Sequence, residues 1–72
     1  MTKKQVVETL MKLESVRELV EEIKEDEADG YYEWAKMGKL KLRGMIQLAK
    51  ELKIIETTER RSYEIIKWLK GE

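Results

Sequence analysis

Residues 25–38, EDEADGYYEWAKMG, decide how many helices the chain makes. Carboxylates at Glu25, Asp26 and Glu27 oppose the dipole at the C-terminal end of a helix. Asp29 followed by Gly30 is a turn signal. Together they predict a helix end near Gly30. Beyond it, Tyr31, Tyr32, Trp34, Ala35 and Met37 are expected to form a short aromatic helix that stops at Gly38, a favourable residue just past a helix end.

Upstream, Thr2 and Gln5 have the spacing of a capping box, which starts a first helix near Lys3. Its apolar positions are Val6, Val7, Leu10, Met11 and Leu13, three and four apart. Ser15 with Glu18 repeats the capping pattern and predicts a second helix from Val16, with Val16, Leu19, Val20 and Ile23 buried. Downstream, a helix over about 40–53 turns Leu42, Met45, Ile46, Ala49 and Leu52 inward. Gly44 within it costs about 1 kcal/mol relative to alanine, so close packing is expected there. Residues 54–57, with β-branched Ile54, Ile55 and Thr57, read as a turn. A last helix, about 58–70, buries Ser62, Ile65, Ile66 and Leu69 and ends at Gly71. The expected fold is all-α: one domain over 1–72, a compact bundle of four to five short helices at about 3–13, 16–28, 31–37, 40–53 and 58–70.

With 72 residues and neither cysteine nor histidine, stabilisation by disulfides is excluded and the common zinc sites are disfavoured. Carboxylates alone would suit Mg²⁺ or Ca²⁺, and no cofactor is expected. Charged residues make up 42% of the chain, against roughly 25% in ordinary soluble proteins. That Lys/Glu-rich composition resembles thermostable hyperthermophile proteins and also designed helical proteins. No run approaches the roughly 18 apolar residues that span a bilayer, and the N-terminus has no signal-peptide core. The expected location is therefore cytoplasmic, away from any membrane.

The zero formal charge conceals a split. Residues 1–35 hold five basic and ten acidic side chains, net −5. Residues 36–72 reverse those numbers, net +5. An anionic partner would meet the C-terminal half.

Within that half, Leu48, Ala49, Leu52, Ile54, Thr58, Arg60, Arg61, Tyr63 and Ile66 follow the pattern of a helix-turn-helix, and residues 48–70 resemble that DNA-binding family. Ala49 takes the small position where the helices cross, and Leu52 and Ile54 lie about the turn. Tyr63 and Ile66 take the inner face of the second helix. Glu59 departs from the family's buried valine and Ile55 from its capping Ser or Thr. The resemblance implies that Thr57, Thr58, Arg60 and Arg61 face duplex DNA, with Lys50, Lys53 and Lys67 reaching phosphates. A second set, Glu25, Ala28, Tyr32 and Ala35, then Glu59 through Ile65, resembles ferritin-like and rubrerythrin-like helix pairs. That resemblance implies Glu25 and Glu59 as di-iron ligands in a two-chain bundle, although Ser62 replaces the family's histidine. Gly38, Leu42, Leu52 and Ile54 resemble the end of a sterile-alpha-motif domain, which implies head-to-tail protein association.

In a chain without phenylalanine the aromatic rings are expected in the core; stacking on bases is the alternative, and an exposed Trp34 or Trp68 would mark a partner surface. Nucleophilic triads need a base such as histidine. Carboxylate runs such as Glu21-Glu22 read as a solvated face. The expectation is thus a non-enzymatic domain that binds duplex DNA through the C-terminal half. The alternative is a structural or protein-interaction module, binding itself or another protein, or an engineered helical protein with no ligand.

Overall fold

The computed structural model describes residues 1–57 and 61–72. Its elements are α1 (Lys3–Met11), α2 (Glu14–Ala28), α3 (Tyr32–Glu51) and α4 (Ser62–Leu69), with no strand among the described residues. The fold is all-α, as expected. The helices contact one another in a ring, α1 on α2, α2 on α3, α3 on α4 and α4 back on α1, with the α2–α3 pair the most extensive.

The Thr2 capping box forms: the Gln5 amide donates to Thr2 Oγ1 and the Thr2 amide to Gln5 Oε1. The box expected at Ser15 does not. Here α2 starts at Glu14, Leu13 takes the extended cap position without a side-chain bond, and Ser15 lies inside the first turn. The two-residue connection leaves no room for a separate cap. Instead Arg17, one turn into α2, donates from Nη1 to the Met11 carbonyl at 2.7 Å, satisfying an open acceptor at the end of α1. Leu13, expected inward, is exposed at this turn.

At Gly30 the chain reverses as expected. Its φ of +81° closes α2 with the Gly30 amide donating to Glu27 and the Tyr31 amide to Asp26. The break expected at Gly38 is absent, and the two helices expected over 31–37 and 40–53 are one, α3. Gly38 serves packing instead. A Cβ there would sit 2.7 Å from Ile23 Cγ1, so its absence lets α2 lie directly against the α3 backbone. Gly44, where close packing was expected, has nothing within 4 Å of a Cβ position.

The C-terminus of α3 repeats the Gly30 geometry with the wrong residue for it. Lys53 has φ +59°, and Lys53 and Ile54 donate to Lys50 and Ala49. A left-handed lysine costs on the order of 1 kcal/mol. The expected turn over 54–57 follows, and Ile55 within it is buried. The expected start of the last helix at residue 58 lies outside the described residues; the α4 that is described starts at Ser62.

The core is Val6, Leu10, Val16, Val20, Ile23, Ala35, Leu42, Ile46, Ala49, Ile55, Ile65, Ile66 and Leu69, with Ser62 the buried polar residue. The four positions expected inward on α4 are all buried. Leu52, expected inward, is exposed, because it lies at the cap beyond the last core turn of α3. Among the described residues no helix is long and apolar enough to cross a membrane.

Candidate functional site

On α3, Ala35, Gly38, Leu42, Ile46 and Ala49 recur three and four residues apart and form its inward stripe. A second series with the same spacing, Trp34, Met37, Lys41, Gly44, Leu48 and then Leu52, lies about 90–100° around the helix. Trp34 is 65%, Met37 58%, Leu48 55% and Leu52 63% exposed. This second stripe is apolar except for Lys41, and half-buried Met45 borders it.

The stripe forms one wall of a groove between α2 and α3. At the hairpin end the groove is lined by Leu19, Glu22 and Asp26 from α2, facing Trp34, Met37 and Lys41 from α3. At the other end Leu13 and Val16 face Met45, Leu48, Leu52 and Ile54. The α2 wall is thus acidic near the hairpin turn and apolar near α1. Isolated exposed apolar residues are ordinary, but an aligned series along a helix is not.

The aromatic rings expected in the core are mostly at the surface. Tyr31, Tyr32 and Tyr63 are exposed, like Trp34, and Trp68 is half-buried. Tyr31 and Trp34 pack with ring centroids 5.5 Å apart. The Arg43 guanidinium lies 5.3 Å over Tyr63 and Lys3 Nζ 5.6 Å over Trp68, distances that give cation–π attraction. The buried core is aliphatic apart from Ser62 among the described residues, with Trp68 packed against its edge.

Away from the groove, Glu27 joins three elements. Its carboxylate accepts from Lys70 Nζ at 2.6 Å and from Lys39 Nζ at 3.1 Å, and Lys70 also reaches Glu72 at 3.3 Å. The Lys70 bond, the Lys39 bond and both positive charges hold the Glu27 carboxyl below its ordinary pKa, against desolvation that raises it. Burial of Lys70 alone would lower its pKa; the bonds to Glu27 and Glu72 outweigh that and raise it. Two cations of the +5 half are therefore engaged internally.

The residues expected to bind nucleic acid fall within residues 50–67. Lys50 is half-buried in the last turn of α3, Lys53 is exposed at its left-handed end, and Thr57 is half-buried. Arg61 and Lys67 are exposed, Arg61 before α4 and Lys67 in its last turn beside Glu27, Lys39 and Lys70. Thr58 and Arg60, like Glu59, lie outside the described residues. α3 ends at Glu51 and the described part of α4 starts at Ser62. Of the ferritin-like set, Glu25 and Ala28 lie in α2 and Tyr32 and Ala35 in α3, on opposite sides of the Gly30 turn. Among the described residues no cluster of three or more Asp and Glu is placed to hold a metal.

What the sequence analysis missed is the groove. Its signal was present in the three-and-four spacing of Trp34, Met37, Lys41, Gly44 and Leu48. Ending a helix at Gly38 cut that series in two. No family model, curated protein or solved structure matches the chain.

Proposed function

We propose that this chain is a non-enzymatic protein-interaction module that docks a helical partner along the α2–α3 groove. The observation that carries the reading is the exposed series Trp34, Met37, Leu48 and Leu52, aligned on one helix and faced by Glu22 and Asp26. Such a face matches an amphipathic helix, which presents apolar anchors at the same spacing and flanking cations to the carboxylates. The test is a titration of dilute protein with an amphipathic Leu/Lys helical peptide, followed through the indole N–H resonance of Trp34. The signal is expected to move in the wild-type chain and to stay still in Leu48→Glu, with Arg61 and Lys67 unaffected in both. An unmoved Trp34 signal in the wild-type chain would remove the reading.

Duplex DNA bound through Thr57, Thr58, Arg60, Arg61, Lys50, Lys53 and Lys67 is the second reading. The exposure of Lys53, Arg61 and Lys67 favours it; the internal pairing of Lys39 and Lys70 weighs against it. It requires a gel shift at low salt that weakens as salt rises, and it falls if none is seen.

A further inference from the structure

We infer that the occupant of the α2–α3 groove is a second copy of this chain, related by a twofold axis that runs parallel to the two helices. The inference rests on the groove being a docking surface and adds the identity of the partner. Two identical hairpins meet face to face in two simple ways. With the axis across the helices, α2 lies on the partner's α2 and α3 on the partner's α3. With the axis along the helices, α2 lies on the partner's α3, and every neighbouring pair is antiparallel, as in a four-helix bundle.

Charge separates the two. On the groove face α2 presents Glu22 and Asp26 and α3 presents Lys41, and the whole helices carry the same signs, net −5 and net +3. The first arrangement stacks like on like. The second sets each acidic helix on a basic one, which favours association and suppresses the alternative register.

Lys41 makes the same choice locally. It interrupts the apolar stripe, and a covered ammonium without a counter-charge is costly. Gly38 abuts Ile23 and Leu19, which fixes how α2 and α3 align along their length. A lengthwise axis preserves that alignment. It brings Lys41 level with the segment of the partner's α2 that holds Glu18 and Glu22. A single cation at such a seam position sets register in helical assemblies.

The area suffices for a reversible dimer. A molecule measuring 34 × 20 × 18 Å offers a hairpin face on the order of 600 Å², so two copies bury about 1,200 Å², the lower edge of specific interfaces. Association in the micromolar range or weaker follows.

The experiment is sedimentation velocity from micromolar concentration to about 1 mM, a span suited to an interface of this size. The wild-type chain is expected to shift from monomer to dimer. Glu22→Lys and Lys41→Glu each place two like-charged pairs in the dimer and are expected to weaken it about tenfold or more. Circular dichroism should show both variants folded, since both positions are exposed. Mixing the two variants recreates opposite charges across the interface only between different copies, so the mixture is expected to dimerise where neither variant does. A dimer that mixing does not restore overturns the arrangement. A wild-type chain that stays monomeric overturns self-association. If Trp34 then still responds to the Leu/Lys peptide, the docking reading survives with a foreign partner; if it does not, both fall.

Discussion

One face of α3 carries Ala35, Gly38, Leu42, Ile46 and Ala49 into the core, and the face a quarter turn away carries Trp34, Met37, Gly44, Leu48 and Leu52 to the surface. Both have helical spacing and both are apolar. Periodicity therefore marks a face that seeks cover without saying whether the cover is this chain or another. What distinguishes them is the neighbour. The first face has α2 lying on it, close enough to require a glycine. The second is faced at its edge by Glu22 and Asp26 near the hairpin turn and by Leu13 and Val16 near α1.

The largest test of this contrast is truncation at paired positions two residues apart. Ile46 is fully buried, and Ile46→Ala is expected to cost about 2–5 kcal/mol through lost transfer energy and a residual cavity. Leu48→Ala on the exposed face should change monomer stability by no more than about 0.5 kcal/mol. Urea denaturation at low protein concentration measures both. Equal losses would mean that the outer stripe is already covered within the monomer.

The two glycines give a smaller contrast of opposite sign. Alanine favours a helix by about 1 kcal/mol over glycine at either position. At Gly44 the methyl meets nothing, so Gly44→Ala should stabilise by about that amount. At Gly38 it would press on a methylene of Ile23, fixed within the core, and overpacking of this kind costs about 1–3 kcal/mol. Gly38→Ala is thus expected to destabilise by about 1 kcal/mol net, read as opposite shifts in melting temperature.

These positions also mark what the sequence made legible. The Thr2 cap, the Gly30 reversal, the Gly71 end and the buried Val6, Leu10, Val16, Val20 and Ile23, with those of α4, follow from local rules, because each is set by neighbours within one turn. Gly38 is not, since a helix-ending glycine and a helix-packing glycine look alike until Ile23 is known to lie above it. The same ambiguity hid the groove, because the outer stripe becomes visible only when α3 is continuous. Placing Tyr31, Tyr32 and Trp34 in the core failed because size argued for burial, whereas these residues sit at the cap and first turn of α3 on the side away from its inward stripe of Ala35, Leu42 and Ile46. The internal use of Lys39 and Lys70 is a long-range matter that charge totals do not reveal.

The smallest expected effect concerns charge on the two sides of α2. Glu27 lies on the inward side and is shared between Lys39 and Lys70, while Glu22 and Asp26 on the groove side have no ion pair among the described residues. Glu27 has a folded-state pKa below its unfolded value. Its contribution to stability is therefore present above the ordinary carboxylate range and is lost as pH falls through the depressed folded value. Lys70, raised in the folded state, contributes below its ordinary value and loses that contribution as pH climbs through the raised one. Stability should then be flat across neutral pH and decline at both extremes. Glu27→Gln should lower neutral-pH stability by about 1 kcal/mol or less, since the pair is partly solvated. It should also flatten the acid limb. Urea midpoints at acidic and neutral pH decide it: an acid limb that stays as steep in Glu27→Gln as in the wild-type chain would mean that the carboxylate shared by Lys39 and Lys70 does not set the acid stability.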